Sequence, residues 1–578
     1  MIQKYCFKVM QWLLPVAVLT VAGCMKKLDL RPGSQLADNN FWKTTTDMSQ
    51  ACNYLYTFLN GLNAADDPSG YPTPLQDNYS DKAFGDRSVG FGDGSSVAPA
   101  TSNEWINYYK AIRAANNILE KSVTVTGDAA TINRYLGEAR FFRALSYFEL
   151  VKRFGNVPYI NRTLTAGDEM LYSARTPRQQ VIDSVYADLD FAAANCPQPD
   201  VMAAAEYGRI TRSAALAYKS RVGLFQGTWD KFRSISTAQR NLQVAIDASS
   251  TVMSEAKHTL YTTQGAQSYF YLFQYDGGAS GNPVQTVVGP QLNYTYATNK
   301  ENILVKLYGQ NQNNNITSHN FGRQYLDQAH IAPTRQMMDM YLYKDGLPGG
   351  LSAYDSSANQ TSSLTEFRNR DPRMEMSVYN NTMITPSTGG LIAYNAGVNY
   401  RYRKYWIVSD WASNVSYVNF NVLRYAEVLL NYAEAKFEQN GSISDEDLNL
   451  TINALRKRAT ANDAGKLPLL TNAFVSANGL NMETEIRRER TVELAFEGHA
   501  YWDLLRWKTA ETLLPRAILG RRYFPAENPS GATPKLLNGY VLLEDQSFRK
   551  FNPERDYLWG LPTKELALNK ALDQNPNW

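Results

Sequence analysis

Apolar positions recur at intervals of three and four along much of this chain. Trp105, Tyr108, Ile112, Ala115 and Leu119 set one face of a helix over 105–121. Tyr135, Ala139, Phe142, Leu145, Phe148 and Val151 do the same over 131–153, with Gly155 and Pro158 where stop signals belong. The same period predicts helices over 178–194, 211–226, 238–254, 422–439, 446–460 and 483–507. Several blocks carry a small residue four positions before an aromatic: Ala144/Phe148, Ala214/Tyr218 and Ala433/Phe437. In tetratricopeptide helix pairs that spacing lets one helix approach closely while the ring fills the next groove. Any helical bundle needs some small-to-large packing, but the recurrence predicts helix hairpins stacked as a degenerate solenoid.

Two stretches break the pattern. Between about 258 and 420 the helical period fades and Gly, Asn, Ser, Thr and Tyr crowd in, with Asn302-Ile303-Leu304-Val305-Lys306-Leu307 alternating as a strand does. Residues 61–104 hold Gly, Pro, Asp and aromatics without period. Long loops inside a folded protein are functional or disordered, and the aromatic content points to function. The predicted fold is therefore mainly α. A tetratricopeptide-like helical-repeat scaffold (about 35–60, 105–256 and 422–578) bears a loop-rich, minor-β ligand-binding face (about 61–104 and 258–420).

The beginning of the chain changes the picture. Lys4 and Lys8 precede an uncharged stretch centred on Trp12-Leu13-Leu14-Pro15-Val16-Ala17-Val18-Leu19, which closes on Val21-Ala22-Gly23-Cys24. This is the order of an export signal. The uncharged run between Lys8 and Lys26 is shorter than the roughly 20 apolar residues of a membrane span, and Pro15 interrupts it. A cysteine directly after Ala-Gly resembles a bacterial lipobox, so residues 1–23 are expected to be removed and Cys24 acylated. The leader carries two of the positive charges, so the net charge falls from +3 to about +1 in a single domain expected over 24–578. Such a balance offers no basic stripe for nucleic acid. Cys52 and Cys196 then remain, and burial as small apolar side chains fits them better than a disulfide framework. His258, His319, His330 and His499 show no zinc-ligand spacing, and neither metal nor cofactor is expected.

At the helical blocks the sequence resembles the SusD/RagB family of Bacteroidetes outer-membrane nutrient-binding lipoproteins. The resemblance runs the length of the mature chain. It includes Gly137-Glu138-Ala139-Arg140-Phe141-Phe142-Arg143-Ala144 through Phe154-Gly155-Asn156-Val157-Pro158, and Asp371-Pro372-Arg373. Leu423-Arg424-Tyr425-Ala426-Glu427 follows, then Glu493-Leu494-Ala495-Phe496-Glu497-Gly498-His499 with Trp502-Asp503-Leu504, and the closing Gln574-Asn575-Pro576. One departure is Trp559-Gly560 before Leu561-Pro562, where a proline is more usual. The resemblance implies a non-enzymatic, lipid-anchored protein of the outer membrane, facing the exterior. It would bind a glycan or oligosaccharide (in some members a peptide) and form the lid of a TonB-dependent, SusC-like transporter. The other reading left open by the residues is a tetratricopeptide scaffold that binds proteins only.

Glu485, Glu489, Glu493 and Glu497 follow one another at i+4 spacing among arginines. Paired carboxylates across a sugar would be glycosidase chemistry, but the acid of such a pair needs a raised pKa, which adjacent guanidinium groups oppose. Structural ion pairing is the expectation. Gly90-Phe91-Gly92-Asp93-Gly94 lacks the strand, helix and Lys-Ser/Thr of a phosphate loop, and Asp66-Asp67 with Asp77/Asp81 matches no EF-hand. Binding a sugar requires aromatic faces beside amides, acids and arginines on loops. Tyr79, Asp81, Arg87, Phe91 and Asn103 from the first loop stretch qualify, as do Tyr296, His319, Phe321 and Tyr325 from the second, with Trp406 and Trp411 as outsiders.

Overall fold

The computed structural model describes residues 41–578 except 66, 86–89, 275–295, 298, 311–315, 328–329, 357–358, 381–398, 408–413, 464 and 528–532. The leader, Cys24, Arg87 and Trp411 thus lie outside the described residues. Ten helices carry the scaffold: α1 (Thr45–Leu55), α2 (Asn103–Lys121), α3 (Ala129–Phe154), α4 (Arg178–Asn195), α5 (Arg212–Lys231), α6 (Ala238–Glu255), α7 (Tyr425–Asn440), α8 (Ile452–Thr460), α9 (Met482–Glu493) and α10 (Ala500–Arg506). From α2 to α6 each packs on the next in sequence, and α7 continues the stack against α6, as a helical-repeat solenoid requires.

Local chemistry sets these boundaries. The hydroxyls of Ser102 and Thr211 and the Asp128 carboxylate accept the orphan N–H groups at the starts of α2, α5 and α3. Gly155, at φ +73°, ends α3. Gly223 and Gly227 explain how closely α5 meets α6: a Cβ there would lie 2.7 Å from the Ala245 nitrogen and 2.7 Å from the Leu242 side chain. The small-to-aromatic pairs pack as expected. Ala144 and Ala214 are fully buried, and the Phe148 ring meets Tyr218 and Phe225 edge-on at 5.9 and 5.5 Å.

Three predicted helices differ in detail. The 422–439 block begins as a strand, Phe420–Arg424, before α7. The 446–460 block is two helices that meet at Thr451 (φ −120°, ψ −92°). The 483–507 block is broken between α9 and α10, where Phe496 and Gly498 adopt φ of +59° and +81°. Glu497 therefore leaves the helical stripe and stands in the turn.

The strands are short. β1 (Ala83–Gly85) pairs antiparallel with β5 (Ile331–Pro333), β2 (Asn302–Lys306) with β6 (Phe420–Arg424), and β3 (Gly309–Gln310) with β4 (Ile316–Thr317). A three-stranded sheet runs β7 (Ile518–Arg522), β9 (Tyr540–Glu544), β8 (Leu536–Leu537). The β1–β5 pair joins the two loop-rich stretches, with Phe84 opposite Ala332.

The glutamates form a buried ion network. Glu489 binds Arg373 and Arg456, Glu493 binds Arg373, Arg424 and Arg458, and Glu497 binds Arg424 and Lys404. Asp371 and Glu301 complete a set in which five cations meet five carboxylates. Burial opposes the Glu493 charge, yet Arg458, Arg424 and Arg373 together hold its carboxyl well below the usual range. Carboxylates pinned in this way have no proton to give a leaving group. Cys52 and Cys196 are free and buried.

Candidate ligand-binding site

The first loop stretch folds onto the C-terminal segment. The Lys550 and Arg555 donors reach the carbonyls of Gly92 and Gly94, and the N–H groups of Thr563 and Lys564 donate to Pro99 and Ala100. The Trp559 N–H donates to the Arg153 carbonyl at the end of α3, and the Asn575 amide donates to the carbonyls of Phe154 and Trp559. Two segments that are poor in regular structure are thereby fixed on a rigid helical floor.

Aromatic rings gather at this junction. Phe91 stacks on Trp559 with ring centroids 4.7 Å apart and 26° between planes. Tyr79 and Tyr501 lie beneath Phe91 at 4.6 and 5.4 Å, and Trp502 lies 5.8 Å from Trp559. The Arg153 guanidinium sits against the same indoles, 4.8 Å from Trp502 and 5.2 Å from Trp559. The outer side of the cluster opens into a cavity of about 400 Å³ lined by Phe91, Ser96, Asn103, Glu104, Trp559 and Trp578, among others. The Trp578 indole N–H donates to the Leu558 and Arg555 carbonyls, which fixes that ring at the rim. Asn103 is exposed at the first position of α2, and Phe91, Trp559 and Trp578 are half-buried. Apolar ring faces held open beside an amide and a carboxylate suit a polyhydroxylated ligand.

The structure thus brings Phe91 and Asn103 together, and five other candidates require correction. Tyr79 is 7% exposed and props up Phe91 from below. Asp81 is buried beside Lys82. Tyr296 packs edge-on against Tyr207 and donates its hydroxyl to the Arg209 carbonyl. Phe321 is fully buried among Tyr325, Tyr405 and Phe496. His319 has its Nε2 3.0 Å from the Val418 carbonyl, while its Nδ1 accepts the Phe321 N–H. Burial pushes the His319 pKa down to about 4, so the ring is neutral. A ring without an accessible face cannot stack on a sugar, so these residues are core or support. Tyr325 is half-buried on a π-helical turn, Gly322–Asp327, against Phe321. Trp406 is buried against Tyr379.

Sequence reasoning missed Trp559 and Trp578. Aromatic-rich long loops are what a sequence reveals as a sugar-binding face, and the C-terminal segment is not one. The available signal was the departure at Trp559-Gly560, before Leu561-Pro562, where the family more usually has a proline.

Comparison with known proteins decides the family. A model described as "SusD family" matches residues 293–578, and one described as "Starch-binding associating with outer membrane" matches 28–224. The chain belongs to the SusD/RagB family. SusD-like protein P2 of Formosa agariphila is 25% identical over 97% of both chains. Among solved SusD-like structures, a carbohydrate binding protein from Bacteroides fragilis is 25% identical, covering 92% of this chain and 100% of its own, with a TM-score of 0.73. The surface glycan-binding protein A of Bacteroides fluxus shares the fold at 19% identity, covering 93% of this chain and 100% of its own, with a TM-score of 0.59. The SusD/RagB family is one of glycan-binding proteins that associate with the outer membrane, and its members are binding proteins rather than enzymes. Among the described residues no helix is long and apolar enough to cross a membrane.

Proposed function

We propose that this protein is a lipid-anchored glycan-binding protein on the outer face of the outer membrane, which passes an oligosaccharide to a TonB-dependent transporter of the SusC type. The observation that carries the binding half is the pair Phe91–Trp559 at the mouth of a cavity of about 400 Å³, with Asn103 and Glu104 at its edge. The ring face left open towards the cavity is flat and apolar, as a sugar face requires, and the amide and carboxylate suit its hydroxyls. The family relationship supports the glycan as ligand class, and the Bacteroides fragilis relative is itself described as a carbohydrate binding protein. The Ala22-Gly23-Cys24 motif supports the anchor. The transporter partner is what the SusD/RagB family relationship implies.

Affinity electrophoresis in gels cast with plant, fungal and host polysaccharides tests the ligand class, with a peptide digest as competitor. Retardation by at least one polysaccharide is expected. Binding of peptide alone would remove the glycan and leave a peptide carrier of the same architecture.

A further inference from the structure

A second, smaller cavity of about 70 Å³ lies inside the scaffold, between α3, α5, α9, α10 and the turn 73–79. By the space one water occupies, it holds roughly five water-sized groups and no sugar ring. It is separated from the ligand-facing cluster by Trp502, which lines it and stacks towards Trp559.

Its walls show an imbalance. Arg221 is bound by Glu427, while Arg490 and Arg506 share Asp503 and Glu434. Glu149 is the carboxylate within ion-pair distance of both Lys152 and Arg153, and Glu104 adds only a longer-range negative charge to Arg153. Among the described residues the contact ion pairs thus leave one buried cation without a carboxylate of its own. Glu497 also lines the cavity, but it belongs to the balanced network of Arg424 and Lys404. Asp77, on the turn below, directs its two oxygens at the N–H groups of Phe496 and Ala500, and burial pushes its pKa up to about 7. His499 lines the cavity as well, and burial with Arg221, Arg490 and Lys152 nearby holds its pKa well below the usual imidazole value.

A second observation points the same way. Gln76 and Tyr218 are 3% and 1% exposed and line the cavity, and the Gln76 Nε2 and Tyr218 hydroxyl have no hydrogen-bond partner in the protein. Buried donors without acceptors and a buried cation without a counter-charge are both costly. Water would satisfy the donors but not the charge.

We propose that this cavity is a binding site for one small monovalent anion of halide size. Lys152 supplies the charge left over, with Arg221 and Arg490 on the neighbouring wall, and the Tyr218 hydroxyl and Gln76 amide supply neutral hydrogen bonds. The anion lies one ring behind the ligand-facing cluster, on the far side of Trp502.

The test uses the whole mature protein at pH 6, where Asp77 is mostly protonated and His499 neutral. Melting is followed in sodium chloride against sodium gluconate at equal ionic strength, and crystals soaked in sodium bromide are examined by anomalous scattering. The expected results are a bromide peak within hydrogen-bonding distance of the Tyr218 hydroxyl and Lys152 Nζ, and a Tm that rises about 1 °C per tenfold increase in free chloride. The double variant Tyr218→Phe/Gln76→Leu keeps the shape of the wall and removes both donors. It should melt in gluconate much as wild type does and lose most of the chloride dependence. If that variant does not fold, the wild-type bromide and chloride measurements decide alone. No bromide peak in the cavity overturns the proposal, and so does an equal Tm in chloride and gluconate. A peak without chloride dependence means an adventitious ion only, and also overturns it.

Discussion

The Asp77 carboxylate accepts the backbone N–H of Phe496 at 2.9 Å, and Phe496 is the residue whose positive φ breaks the helix between α9 and α10. The second Asp77 oxygen takes the Ala500 N–H at the start of α10. One side chain thus ties the turn that ends in Tyr79 to the helix that carries Tyr501 and Trp502, the rings beneath Phe91 and Trp559. Burial pushes the Asp77 pKa up to about 7. For a carboxyl raised in the folded state, the folded chain holds the proton more tightly, so its contribution to stability falls as pH rises from about 4 to about 7 and is constant above. The Tm of wild type minus that of Asp77→Ala should accordingly be larger at pH 5 than at pH 8, measured by calorimetry in each buffer.

Most of the scaffold was legible because its signal is local. Trp105 to Leu119 and Tyr135 to Val151 carry their periods within one element, and their caps lie beside them. The break at Phe496 was not legible. Glu485 through Glu497 reads as one uninterrupted stripe, and the turn exists because Asp77, more than 400 residues earlier, accepts the freed N–H groups. The site was half legible for the same reason. Phe91 and Asn103 stand in an aromatic loop directly ahead of a helix, whereas Trp559 and Trp578 reach them through tertiary contacts that no spacing encodes. Phe321 and His319 were misplaced because a loop aromatic that packs the loop down looks the same in sequence as one that faces solvent.

Core and site rings are separable by mutation. Phe148 and Phe321 are 1% and 0% exposed, and each changed to Ala should lose about 3–5 kcal/mol of stability in urea unfolding. A Phe321→Ala protein that keeps full stability and loses ligand would return that ring to the binding face.

The buried ion pairs set an acid limit. Burial opposes ionisation of Glu149 and Glu434, but Lys152 and Arg153 for the first, and Arg506 and Arg490 for the second, bring both down to about 2. A depressed carboxyl stabilises the fold above its unfolded value, about 4.5, and that contribution is lost as pH falls towards 2. Tm should therefore drop steeply between pH 4.5 and 2. Removing Glu493, which bridges three arginines, should cost about 3–5 kcal/mol at pH 7, because the five buried cations of the network would then share four carboxylates.

The anchor is tested in cells that lack the partner transporter, so that it cannot retain the mutant. Cys24→Ala should move the protein from the membrane fraction to the soluble fraction, since a single lipid-bearing terminus is the proposed attachment. An unchanged membrane fraction would remove the lipoprotein reading.

A glycan is proposed to stack on the ring face at Phe91 and Trp559. The direct measurement of this stacking is calorimetric titration of the polysaccharide identified in gels, digested to oligosaccharides, into wild type and Phe91→Ala at 0.1 M and 1 M salt. Ion-pair capture would weaken as the Debye length shrinks from about 10 Å to about 3 Å, and stacking would not. Wild-type affinity should be nearly independent of salt, and Phe91→Ala should lose affinity severalfold with a Tm within a few degrees of wild type, because that ring is only half-buried. Undiminished binding by a folded Phe91→Ala protein, or wild-type binding that disappears at 1 M salt, would contradict stacking there.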